Sequence, residues 1–126
     1  ETYLGLGKDG FETPLLPPHG PILLRLTPLA DSPDVPVLIG SNMHLGMGSA
    51  ELEYMAANRD GIRLTLNDGG AREGALFIHS TRRLAMASVE GCTVKDLAII
   101  GDSIWRISIT ARQKTGVQIV HLMTVR

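Results

Sequence analysis

The stretch Ala50-Glu51-Leu52-Glu53-Tyr54-Met55-Ala56-Ala57-Asn58-Arg59-Asp60-Gly61-Ile62-Arg63-Leu64-Thr65-Leu66 decides the fold class. Its first half reads two ways. Leu52, Met55 and Ala56 fit a helical turn, whereas Leu52 and Tyr54 alternate as on a strand. Its second half reads one way. Ile62, Leu64 and Leu66 alternate with Arg63 and Thr65, the period of a strand with one face buried. Asn58-Arg59-Asp60-Gly61 between them is a hairpin signal. A hairpin needs two strands, so residues 50–57 are read as strand.

The rest of the chain uses the same grammar. Glu73 to His79 puts Leu76 and Ile78 on one face and Ala75, Phe77 and His79 on the other. Leu84 to Val89 is a strand, and Glu90-Gly91 turns it into Thr93 to Ile100. Gly101-Asp102 turns again into Ile104 to Thr110, where Trp105, Ile107 and Ile109 oppose Arg106 and Ser108. Lys114-Thr115-Gly116 predicts a last hairpin into Val117 to Val125. Upstream, Val37-Leu38-Ile39 is a continuous apolar run closed by Gly40-Ser41-Asn42. No helix-length periodic segment interrupts these strands, and none repeats at a fixed period. The expectation is an all-β chain: one antiparallel β-sandwich of about eight to ten strands over residues 1–126.

Ahead of it lies Leu15-Leu16-Pro17-Pro18-His19-Gly20-Pro21-Ile22-Leu23-Leu24-Arg25-Leu26-Thr27-Pro28. Its prolines fix φ, lack N–H groups and force extended neighbours, so no helix passes through it. Ile22, Leu24 and Leu26 then fall on one face and Leu23, Arg25 and Thr27 on the other. This pattern predicts a strand at the centre of the core. Residues 1–28 alternatively form the end of a preceding sheet or an edge hairpin.

Composition limits the function classes. Of 126 residues, 12 are basic and 13 acidic, a net charge of −1. Nucleic acid and anionic membrane surfaces require a basic excess, so neither is an expected partner. The doublet Arg82-Arg83 is read as a solvated strand start. No apolar run approaches the ~18 residues of a membrane helix. The single cysteine, Cys92, excludes an internal disulfide framework. The chain does not begin with Met, and is read as a piece of a longer protein.

Reactive constellations are scarce. His19, His44, His79 and His121 have no partners at metal-ligand spacing, and no metal or cofactor site is assigned. Glu51 and Glu53 share a strand face but read as solvated acids; Asp31 and Asp34 flank Pro33 as turn residues. Gly5-Leu6-Gly7-Lys8 lacks the spacing of a phosphate loop. No nucleophile motif is present, and nothing marks Cys92 as activated. Met43, Met47 and Met55 are read as core filler. No catalytic residue is assigned. Sugar-binding sandwiches stack exposed aromatics on pyranose rings, which makes Trp105 and Tyr54 the candidate sugar contacts. Trp105, in phase with Ile107 and Ile109, also reads as core.

The stretch 16–28 resembles the C-terminal region of α-galactosidase-type glycoside hydrolases (melibiases and relatives), where a Pro-His-Gly turn enters an apolar strand. Leu38-Ile39-Gly40-Ser41-Asn42-Met43-His44-Leu45-Gly46-Met47-Gly48-Ser49-Ala50-Glu51-Leu52 is similar to a following segment in some bacterial members, with a later echo at Gly101-Asp102-Ser103-Ile104-Trp105-Arg106-Ile107. The resemblance implies a non-catalytic C-terminal accessory domain that packs on and stabilises the catalytic barrel of the same parent chain. The family's paired catalytic aspartates have no counterpart here. The alternative is a carbohydrate-binding module.

Overall fold

The computed structural model describes residues 10, 12–29, 34–43, 52–67, 72–101, 103–111 and 116–126. Eight strands run through them: β1 (Val37–Ser41), β2 (Leu52–Asn58), β3 (Gly61–Leu66), β4 (Arg72–His79), β5 (Arg83–Glu90), β6 (Thr93–Gly101), β7 (Ile104–Ala111) and β8 (Gln118–Val125). They form two four-stranded antiparallel sheets, ordered β1-β4-β7-β6 and β2-β3-β8-β5. The ambiguous stretch is a strand, as its neighbour required. Asn58 Oδ1 accepts from the amides of Asp60 (2.8 Å) and Gly61 (3.2 Å), the side-chain turn that closes β2 onto β3.

The sheets meet face to face. Leu38, Leu76, Ile78, Ile107 and Ile109 of the first sheet pack in one cluster with Ile62, Leu64, Leu66, Leu84, Val120 and Leu122 of the second. Apart from Pro36, the largest fully buried side chains lie on the four central strands β3, β4, β7 and β8. Alternation explains this: each inward residue of a central strand is flanked by neighbours on both sides and faces the opposite sheet. Arg72 ties the layers together at one end. From β4 it donates to Gln118 Oε1 (3.1 and 2.9 Å) on β8, and to the Asn67 side chain and carbonyl after β3.

Two expectations need correction. The segment Ile22–Leu26 belongs to neither sheet and is not the centre of the core. Leu23 is 67% and Leu26 77% exposed. Its period-2 pattern reports that one face could be covered, but a strand also needs a lateral partner for its backbone groups. Thr27 Oγ1 does donate to the Ile39 carbonyl of the edge strand β1, at 3.1 Å. The turn before it is as read: Gly20 N donates to Pro17 O (2.9 Å), with Pro18 and His19 at the corners. His19 has φ 61°, the positive value a type II turn requires there.

The expected last hairpin is the second correction. β7 and β8 lie in different sheets, so the chain between them crosses the sandwich. Local turn chemistry at Gly116 marks a reversal but does not fix which strand becomes the neighbour. The short strand expected from sequence at Thr2–Leu6, and residues Gly5–Lys8, Asp31, His44, Met47, Glu51, Asp68–Gly70 and Lys114-Thr115, lie outside the described residues.

Core truncations should be costly where burial is complete. Leu64→Ala and Ile107→Ala should each lose about 2–5 kcal/mol in urea unfolding. Met55, read from sequence as core filler, is instead 42% exposed, and Met55→Ala should lose under ~1 kcal/mol. Gly61→Ala should also destabilise the protein, because its Cβ would sit 2.1 Å from the Leu122 carbonyl oxygen. A Leu64→Ala midpoint equal to wild type would contradict the packing described.

Candidate functional site

The outward face of the β2-β3-β8-β5 sheet is the candidate ligand surface. Pairing puts Tyr54, Thr65, Ile119 and Glu90 in one row across it, and Ala56, Arg63, His121 and Ser88 in the next. Four adjacent strands span about 14 Å. Bulges between Leu52 and Tyr54, and between Met86 and Ser88, set which residues of the edge strands face outward. Tyr54 is 61% exposed on this face. Arg63, Ser88 and Glu90 are exposed, and Thr65, Ile119 and His121 half-buried.

Trp105 is placed differently. It lies on β7 in the other sheet, half-buried and packed against the core cluster. Its Nε1 donates to the Ser80 carbonyl at 3.3 Å. The two candidate sugar contacts are therefore not brought together. Trp105 serves packing, and Tyr54 faces outward.

Nucleophilic chemistry finds no support at Cys92. Burial pushes its thiol pKa up, and the nearby Arg72 charge offsets this in part. A thiol held protonated is a poor nucleophile. It lines an open groove of about 450 Å³ between the β5 and β6 edges, with Met86, Val89, Val94, Lys95, Asp96 and Leu97. Among the described residues, no three His, Cys, Asp or Glu side chains gather as metal ligands. Glu53 is exposed, Asp34 pairs with Arg82 at 3.4 Å, and His19 is an exposed turn residue. Arg83 is the exposed first residue of β5, as read, whereas Arg82 precedes the strand, half-buried and paired with Asp34.

The outward face of the β1-β4-β7-β6 sheet contrasts with this surface. Arg106 donates to Asp96 at 3.0 Å, and Lys95 pairs with Glu73. The Lys95 ammonium holds the Glu73 carboxyl below its ordinary pKa. Arg106 Nε and Thr110 Oγ1 are out of reach of water and have no hydrogen-bond partner. Sequence alternation places Arg106 outward, where solvation is the default; its side chain is 43% exposed, and the burial of its Nε alone has no local signal.

His79 supplies a pH-dependent element. It is buried between Val37 and Ile104, and desolvation lowers its pKa from 6.5. The unfolded chain thus binds the proton more readily than the folded one. Stability should be complete above pH ~6.5 and fall as pH drops through the window below it. Urea midpoints between about pH 7.5 and 5 should show that decline, and His79→Gln should flatten the part due to this site. An unchanged slope would remove His79 from the account. Comparison with family models, curated proteins and solved structures finds no match to this chain.

Proposed function

We propose that the chain is a non-catalytic accessory domain of an α-galactosidase-like glycoside hydrolase, packing on the catalytic barrel of its parent chain. The observation that supports this most is the apolar flank. Leu15, Leu23 and Leu26 are 100%, 67% and 77% exposed on a proline-braced segment outside both sheets. Large exposed apolar side chains in one segment mark a surface made for another protein surface. The segment is also the one whose sequence resembles that family. The raised pKa of the half-buried Cys92 thiol fits a packing rather than a nucleophilic part for that residue.

The test has two arms. The isolated chain should not turn over an α-galactoside, and turnover would defeat the accessory reading. In the parent enzyme, Leu23→Glu with Leu26→Glu should lower the barrel's melting temperature by several degrees, about 1–3 kcal/mol of lost packing. The same pair should leave the isolated sandwich unchanged. An unaltered parent enzyme would defeat the packing.

The outward Tyr54 favours a second reading, carbohydrate binding on the β2-β3-β8-β5 face. Under it, the isolated chain binds a glycan at millimolar affinity or tighter, and Tyr54→Ala abolishes binding with the fold intact. Trp105→Ala should act instead by destabilising the core. Absence of glycan binding would remove this reading.

A further inference from the structure

We infer that the sandwich is a duplicated unit, two four-strand halves of one design, and that the apolar face of each half fits a second copy of that half. The two halves are β1–β4 and β5–β8. Advance each strand by four places, so that β1 becomes β5 and β5 becomes β1. The order β1-β4-β7-β6 then becomes β5-β8-β3-β2, which is the other sheet read backwards. Every ladder maps onto another: β1–β4 onto β5–β8, β2–β3 onto β6–β7, and β4–β7 onto β8–β3.

Topology alone would be weak support, because few arrangements of eight strands exist. The registers are stronger. Leu64 pairs with Val120, and their counterparts Ile107 and Leu76 pair too. Ile62 pairs with Leu122, as Trp105 does with Ile78. The irregularities coincide as well. β1 slips between Leu38 and Gly40 opposite Ile78 and Phe77, and β5 slips between Met86 and Ser88 opposite the counterparts Leu122 and His121. β2 slips between Leu52 and Tyr54 opposite Leu66 and Thr65, and β6 between Val94 and Asp96 opposite Ile109 and Ser108. A bulge is a local device, with no reason to recur at matched positions in unrelated halves. One slip, between Ile99 and Gly101, has no counterpart.

Outside the ladders the match continues. Thr124 N donates to Asp60 O at 2.8 Å, and Ser80 N to Ser103 O at 2.8 Å. Each bond fastens the end of a half's last strand to the hairpin turn of the other half. The sequence keeps a trace: Ile62-Arg63-Leu64-Thr65-Leu66 aligns with Trp105-Arg106-Ile107-Ser108-Ile109. The spacing differs by element, 43 residues from Leu64 to Ile107, 44 from Ile78 to Leu122 and 48 from Leu38 to Met86. That spread is why no fixed period appears in the sequence.

A protease site inserted after the exposed Thr81 divides the purified full chain between its halves. The cut chain should elute as one particle at the uncut position with its β circular dichroism intact. Separated in denaturant and refolded alone, at least one half should form a β-rich dimer of itself. Halves that fall apart on cutting, or that fold only when mixed, would overturn the inference. If a lone half aggregates, the uncut chain decides. Trp105→Ile, Ile107→Leu, Ser108→Thr and Ile109→Leu together write β3 residues into β7. They should keep cooperative unfolding with a melting shift within about 5 °C, and loss of cooperativity would overturn the inference.

Discussion

Everything in this structure depends on the mutual burial of two aliphatic faces. Leu64, Leu66, Val120 and Leu122 of one sheet, with Leu76, Ile78, Ile107 and Ile109 of the other, are wholly inaccessible. Each such side chain contributes about 1.5–3 kcal/mol by leaving water, offset by the entropy of ordering the chain. Neither sheet could present this face to solvent alone. The outer strands are set by this requirement: they flank the four central strands, and their bulges keep Leu38, Met86, Leu52 and Val94 turned toward the core.

What the sequence made legible was local. The β2–β3 hairpin could be read because Asn58 and Gly61 are turn residues beside a cleanly alternating strand. The turn at Pro17-Pro18-His19-Gly20 was legible from its prolines and glycine, though its type was not. Pairing between distant strands was not. Nothing near Gly116 says that β8 joins β3 and β5 rather than β7. The Ile22–Leu26 segment shows the limit most clearly, since alternation states which residues can be covered and not what covers them. Arg72 shows another limit: its partners Asn67 and Gln118 come from two other stretches of chain, so no spacing rule finds them.

For the candidate site, the sequence named Tyr54 and Trp105 by residue type alone. Phase already set them apart, because Trp105 shares the face of Ile107 and Ile109. The structure completes that separation with the bond to Ser80. Arg63 and His121 went unremarked, since their proximity arises only when β3 pairs with β8. A flat sheet surface is assembled from one or two residues per strand, so it leaves no motif in the chain.

The two outward faces make the final point about function. The halves place equivalent positions on each: Arg63 corresponds to Arg106, Tyr54 to Asp96, His121 to Phe77 and Ser88 to Gly40. One backbone plan therefore carries two chemistries. On the first sheet the arginine is tied to Asp96, and its Nε and Thr110 Oγ1 are shut away from water. On the second the arginine stands exposed beside His121, one row from Tyr54. Folding does not ask the same of both faces, because Ala75, His79 and Ile104, outward positions of the first sheet, are themselves buried within the chain. The water-excluded Arg106 Nε and Thr110 Oγ1 belong to the face the chain itself partly covers, and the exposed Arg63 and Tyr54 to the face it leaves open.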